Sequence, residues 1–320
     1  MGDLIKIKNL VLSFSTEEGE VEALEGLDLA IQQGNIHGLI GETGCGKSVT
    51  GLTILQLLDE NAKIKAGEIF YKDTDLLKMS EKQMERKIRG NEIAMIFQDP
   101  SSSLNPIFSI KNQMTEVIKM YKKAKKKDIE DLIIQELSKV KLPDVKNLLN
   151  RYPHQLSGGM KQRVMIAMML ACGPQLLIAD EPTTALDVSI QIQFLKVIQE
   201  LQKKLGMSIL YITHDLAVVS EICDNISVMY AGRIVENLTV YELFENPIHP
   251  YTQKLVNSIP GVKTQLADLE EIPGSVPRLI NPPSGCRFHP RCDEAIEVCS
   301  IEKPKLINVG TDHQVACHRR

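Results

Sequence analysis

The sequence predicts an α/β fold: a mixed-sheet core, an antiparallel β subdomain, a helical subdomain and a small loop-rich C-terminal domain. Three observations carry this prediction. Apolar β-rich runs alternate with longer helical patterns, as in a parallel sheet covered by helices. Residues 1–33 alternate at short range, as in an antiparallel meander. After about residue 245 the texture changes, because Pro247, Pro250, Pro260, Pro273, Pro277, Pro282 and Pro283 deny long regular elements.

In chain order, Ile5–Leu10 and Glu20–Leu24 read as the meander strands, Asn35–Ile40 as a buried strand and Ser48–Leu58 as a helix. Ile93–Phe97 is the next strand. Between about 100 and 172 the strand signal disappears and helical periodicity takes over, ending in the helix Ser157–Ala171, so this stretch reads as an inserted helical subdomain. Gln175–Ala179, Ser208–Ile212 and Ile226–Tyr230 are further strands, and Val188–Leu205 is a helix closed by Gly206 at its C-cap. The expected domains are 1–245 and 246–320. Lys122, Lys123, Lys125, Lys126 and Lys127 form a basic run in the helical insert, best read as a solvated face, with anionic lipid headgroups as the sharper alternative.

Composition narrows the class. A chain of 320 residues with 43% hydrophobic and 24% charged residues can bury a substantial core, which excludes a disordered chain, a collagen-like repeat and a small disulfide-framed scaffold. No apolar run approaches the roughly 18 residues of a membrane span. Asp3, Lys6, Lys8 and Asn9 interrupt any signal-peptide core in residues 1–20. A formal charge of -4 argues against nucleic acid as the main partner. Cys45, Cys172 and Cys223 are scattered, whereas Cys286, Cys292, Cys299 and Cys317 crowd the tail.

The chemistry begins at Gly41-Glu42-Thr43-Gly44-Cys45-Gly46-Lys47-Ser48, which matches G-x-x-x-x-G-K-[ST] between a strand and a helix. Its glycines let backbone N–H groups wrap phosphates, and the helix start adds a favourable dipole. Lys47 is expected to bridge the β- and γ-phosphates and Ser48 to hold Mg²⁺, with Val49 completing the loop set. Cys45 reads as a packing thiol. Leu176-Leu-Ile-Ala-Asp180-Glu181 is an apolar strand ending in two acids. Asp180 suits Mg²⁺ coordination through a water, and Glu181 suits polarising the attacking water; the plainer alternative is a pair of surface acids. In Tyr152-Pro-His-Gln-Leu-Ser157-Gly158-Gly159-Met160-Lys-Gln162-Arg163, Ser157 is a good N-cap and two glycines expose a second anion-binding helix start. One chain cannot easily fold both onto one phosphate, which implies two chains meeting face to face.

At this point the chain resembles the ABC-type ATPases, whose P-loop cassette has the predicted architecture. Leu156-Ser-Gly-Gly-Met-Lys-Gln162 is similar to their signature motif. The resemblance implies adenine stacking for Phe14, a glutamine-loop role with Mg²⁺ contact for Gln98, a D-loop at Ala185-Leu186-Asp187 and a switch histidine at His214. Met95-Ile-Phe-Gln-Asp-Pro-Ser-Ser-Ser-Leu-Asn-Pro106, Asn246-Pro-Ile-His-Pro-Tyr-Thr252, Ile272-Pro-Gly274 and Gly285-Cys-Arg-Phe-His-Pro-Arg-Cys292 narrow it to the ATP-binding subunits of oligopeptide and dipeptide importers. That family implies a head-to-tail ATPase dimer in which Ser157, Gly158, Gly159 and Gln162 act in trans on the other chain's ATP.

Cys286-x5-Cys292-x6-Cys299-x17-Cys317 lacks the tight pairs usual for structural zinc. The spacing and the importer resemblance together lead to the expectation of a [4Fe–4S] cluster, with Zn²⁺ or unliganded thiols as alternatives. The full expectation is an ATPase that powers peptide import, with Glu181, His214 and Lys47 catalytic. Its partners would be a second, paralogous ATPase forming a heterodimer, two transmembrane permeases and, indirectly, an extracytoplasmic peptide-binding protein. It would sit peripherally on the cytoplasmic face of the membrane. Nickel or another small solute is the alternative cargo. A soluble nucleic-acid or ribosome ATPase fits less well, since the chain has one cassette and no coiled-coil or zinc insertion. A non-hydrolysing subunit would require damage at Glu181 or His214, and both are intact.

Overall fold

The computed structural model describes residues 2–97, 103–122, 124–183, 187–258 and 272–320. The chain forms two compact units, Met1–Met79 with Ile212–Arg320, and Ser80–Tyr211.

The first unit opens with β1 (Asp3–Thr16) and β2 (Gly19–Gln32), paired antiparallel with Leu12 opposite Leu24 and Phe14 opposite Val21. Alternation places Ile5, Ile7, Leu10 and Leu12 in the core, and a register shift between Ile7 and Leu10 falls at Asn9, whose φ is 46°. β3 (Ile36–Ile40) is buried throughout, as a central parallel strand should be. α1 (Lys47–Ile54) follows the glycine loop and stops earlier than the sequence pattern suggests, because Gln56 takes φ 52° and turns the chain. β4 (Ala62–Tyr71) pairs with β1, and β5 (Thr74–Asp75) finishes the sheet in the order β2-β1-β4-β5.

The second unit holds β6 (Ile93–Ile96), α2 (Ile110–Tyr121), α3 (Ile129–Lys139), α4 (Gly158–Cys172), β7 (Leu176–Asp180) and α5 (Val188–Leu205). β6 and β7 run parallel with Ile93 opposite Leu176. Between residues 103 and 172 no strand occurs among the described residues. α2 buries Ile110, Met114 and Ile118, and α3 buries Ile129, Ile133 and Leu137; both stripes follow the four-residue spacing of one helix face and pack against α4. The lysine run divides. Lys122 reaches the buried Glu136 at 2.5 Å, where Lys139 also binds at 2.6 Å, while Lys125, Lys126 and Lys127 are exposed. Lys123 lies outside the described residues. β8 (Ser208–Thr213) returns the chain to the first unit.

There α6 (Leu216–Ile222) leads into β9 (Asn225–Tyr230), parallel to β3, and β10 (Arg233–Thr239), antiparallel to β9. α7 (Val240–Glu245), α8 (Pro250–Asn257) and α9 (Glu297–Ile301) precede β11 (Ile307–Gly310) and β12 (His313–Val315). The tail is therefore loop-rich but not strandless: these strands extend the unit's sheet in the order β11-β12-β10-β9-β3. Mixed parallel and antiparallel pairing matches the expected mixed sheet.

Two buried histidines give this unit a pH signature. His37 on β3 lies 2.8 Å from Ser227 Oγ, and His249 Nδ1 accepts from the Tyr251 N–H at 3.0 Å. Burial lowers the pKa of His37 to about 4 and that of His249 to about 3. Below pH ~6.5 the unfolded chain takes up these protons first, so stability present above that value is lost as pH falls toward 4. Each histidine is expected to contribute a slope of about 1.4 kcal/mol per pH unit in that window. Urea unfolding between pH 7 and 5 measures it, and His249→Gln should flatten the curve; an identical slope in the variant contradicts the assignment.

Candidate functional site

The glycine loop is built by crowding. β3 delivers Gly41 so close to β9 that a Cβ there would meet Met229 O at 2.1 Å, and at Gly46 (φ 107°) a Cβ would meet Ala23 O at 2.9 Å. No side chain can be placed without moving backbone. Thr43 and Gly44 are exposed at the tip, whereas Cys45 is fully buried with its carbonyl accepting from Gly232 N–H at 2.8 Å. Burial raises the Cys45 thiol pKa, which favours the neutral group at this position. Lys47 is 5% exposed, and its Nζ donates to Gly41 O at 2.8 Å and Glu42 O at 3.0 Å. A caged cation beneath an exposed turn at a helix start is a phosphate-binding arrangement. Ser48 and Val49 are half-buried on the first turn of α1, and Phe14 is half-buried on β1.

Sequence reasoning missed two residues that grip this loop. Glu42 N–H donates to Tyr251 Oη at 2.9 Å, and its carboxylate accepts from Arg291 Nη1 at 2.7 Å and Nη2 at 3.0 Å. Both lie in the runs Asn246–Thr252 and Gly285–Cys292, which the sequence offers only as family texture. In the same unit His214 is exposed after β8. The turn beneath it is fixed by Asp215, whose N–H donates to Thr213 Oγ1 at 3.0 Å and whose carboxylate accepts from Ala217 N–H at 2.9 Å.

The second unit carries the remaining set. Asp180 ends the fully buried β7 and is itself 6% exposed. Glu181 follows with φ 43°, a left-handed conformation uncommon for a non-glycine residue that re-aims its carboxylate away from the strand path. Ser157 caps α4 by accepting from Met160 N–H at 3.4 Å, and Ser157 and Gly158 are exposed. A Cβ on Gly159 would meet Ile190 Cγ2 at 2.7 Å, so the starts of α4 and α5 pack closely there. Gln162 is 1% exposed and faces the interior, unlike the exposed start of the same motif. Asp187 caps α5 by accepting from Ile190 N–H at 3.0 Å. Gln98, Ala185 and Leu186 lie outside the described residues.

The cluster expectation is corrected. Cys286, Cys292, Cys299 and Cys317 line one small cavity together with His249 and Phe288. Among the described residues, however, no group of three or more His, Cys, Asp or Glu side chains could hold a metal ion. Burial pushes the Cys286 thiol up to about 11 and raises Cys292 and Cys317 as well, which favours neutral S–H over the thiolate that ligates metal. The [4Fe–4S] assignment is therefore withdrawn, and with it the Zn²⁺ alternative. All four are free thiols.

Comparison with known proteins agrees with the geometry. A family model described as ABC transporter matches residues 24–184, and one described as oligopeptide/dipeptide transporter, C-terminal region, matches residues 235–299. The oligopeptide transport ATP-binding protein AppD of Bacillus subtilis is 46% identical, over 99% of this chain and 97% of that protein. The dipeptide transport ATP-binding protein DppD of Haemophilus influenzae is 44% identical, over 98% and 95%. Among solved structures, cbiO1 of Clostridium perfringens, part of an ABC transporter complex, is 29% identical with a TM-score of 0.66 over 77% of this chain and 92% of that one. The dimeric ATP-binding cassette MJ0796 bound to ADP and phosphate is 26% identical with a TM-score of 0.65 over 74% and 98%.

Proposed function

Because the chain belongs to the ABC transporter family, with the oligopeptide/dipeptide transporter C-terminal region after its cassette, we propose that it hydrolyses ATP to power the import of oligopeptides or dipeptides. The single observation that carries the chemistry is the caged Lys47 beneath the Gly41–Ser48 turn. In this reading Lys47 neutralises phosphate charge and the loop N–H groups orient it, while Phe14 stacks on the base. The Ser48 hydroxyl is a hard oxygen donor of the kind Mg²⁺ takes, and an ion bound there would offset charge on the phosphates; the Asp180 carboxylate is a donor of the same chemical kind. Glu181 polarises the attacking water and His214 senses the γ-phosphate. Ser157, Gly158 and Gly159 complete a second chain's site, and Asp187 reads that chain's loop.

Membrane permeases and a substrate-binding protein are the partners this family implies. Among the described residues no helix is long and apolar enough to cross a membrane, consistent with peripheral attachment. We assign residues 1–245 to the nucleotide-binding domain, with 100–172 as its helical part, and 246–320 to the importer-type C-terminal domain. A paralogous second ATPase and the cytoplasmic membrane face complete the proposed assembly. Peptide is favoured over nickel because the relatives above are named for peptides. Proteoliposomes containing the permeases, both ATPases and the binding protein should take up a labelled peptide only with ATP, and Lys47→Ala should abolish uptake. Nickel uptake without peptide uptake would reverse the cargo assignment.

A further inference from the structure

We propose that Arg291 is a positioning residue for the ATP site: through Glu42 it fixes and neutralises the phosphate loop, so the C-terminal region tunes nucleotide affinity. This inference rests on the ATP reading above.

Every polar group of Glu42 is engaged within the first unit. Its N–H donates to Tyr251 Oη at 2.9 Å, its carbonyl accepts from Lys47 Nζ at 3.0 Å, and its carboxylate takes both arms of the Arg291 guanidinium. Two of these three holds come from beyond residue 246. The Arg291 side chain is 7% exposed and anchored in turn: Nε donates to Pro273 O at 2.8 Å, Nη2 to Ile272 O at 3.2 Å, and the guanidinium lies 5.8 Å from the Tyr230 ring centre. A planar fork saturated on all sides has one orientation, which it imposes on Glu42. That orientation sets the peptide carbonyl to which Lys47 is bound.

The second consequence is electrostatic. Glu42 places a carboxylate inside a loop that must accept a polyanion, and like charges at that range repel. Arg291 cancels that charge at 2.7 Å. Position and charge therefore act in the same direction, and coupling is reciprocal: nucleotide binding should also steady the segment around Arg291.

The test uses the full-length chain and a fluorescent ADP analogue, with thermal unfolding followed in parallel. Arg291→Gln is expected to weaken nucleotide binding about tenfold, with kcat at saturating ATP changed much less. Arg291→Lys, which keeps charge but loses the fork and preserves the fold if Gln does not, should weaken it about threefold. The double variant Glu42→Gln with Arg291→Gln should recover most of the loss, because the unpaired charge is gone; a merely structural role gives no such rescue. Unchanged affinity in folded Arg291→Gln and Arg291→Lys, or a double variant no better than Arg291→Gln, overturns the inference. A wild-type chain that binds no nucleotide overturns instead the ATP reading beneath it.

Discussion

Glu181→Gln is expected to lower steady-state ATP hydrolysis by at least about 100-fold while ATP still binds and holds two chains together. The structural case lies in the divided roles of adjacent acids. Asp180 ends a fully buried strand and is fixed by it, whereas Glu181 takes φ 43° and leaves the strand path. A residue kept in a sparsely populated conformation is held there by its surroundings, and such positions concentrate where chemistry needs one direction from a side chain. Glutamine preserves size and backbone demand but cannot accept a proton, so the substitution separates general-base chemistry from loop shape. Binding through Lys47 is untouched because that cation is held by Gly41 O and Glu42 O in its own loop. Size-exclusion chromatography with ATP, beside a phosphate-release assay, reads both halves. Full turnover in the variant removes Glu181 from the mechanism; lost turnover without a trapped dimer removes the face-to-face arrangement.

The chain's legibility follows the physical range of each signal. β3 and β7 are legible because a strand buried on both faces is a short unbroken apolar run, and the glycine loop because steric exclusion at Gly41 and Gly46 restricts residue choice. β4 is not, since Lys63, Lys65 and Glu68 occupy a strand with only a few buried positions and Gly67 interrupts it. Its pairing with β1 decides the structure, not its own pattern. The strands β11 and β12 escape for the same reason, being four and three residues long. Cysteine spacing promised a cluster because sequence distance says nothing about where thiols point or whether they ionise. The grip of Arg291 on Glu42 spans 249 residues, beyond any local signal. Gln162 shows the limit within a motif: the pattern groups it with Ser157, and helix geometry turns it inward.

Glu236→Ala is expected to destabilise the folded chain by about 3–5 kcal/mol. Glu236 is fully buried on β10, where its two oxygens accept from three donors: Ile248 N–H at 2.8 Å, His249 N–H at 3.0 Å and His313 Nε2 at 2.7 Å. Truncation strands two backbone N–H groups and an imidazole around a buried position, so the penalty is their desolvation as well as the lost bonds. The donors also define what is fastened. Ile248 and His249 lead into α8, and His313 lies on β12, so one carboxylate pins both the start of α8 and β12 to β10. His249 caps α8, and α8 carries Tyr251, which holds the Glu42 N–H. Loss of the anchor should therefore weaken nucleotide binding too, by less than Arg291→Gln does, because the Arg291 fork remains. Glu236→Gln keeps an acceptor for one or two donors and should fall between, at about 1–3 kcal/mol. Urea unfolding measures the first effect and nucleotide titration the second. If Glu236→Ala unfolds at the wild-type midpoint, the carboxylate anchors nothing. If it is destabilised as expected but binds nucleotide as tightly as wild type, the path from Glu236 through His249 and Tyr251 to the phosphate loop is broken, and Arg291 alone carries the coupling.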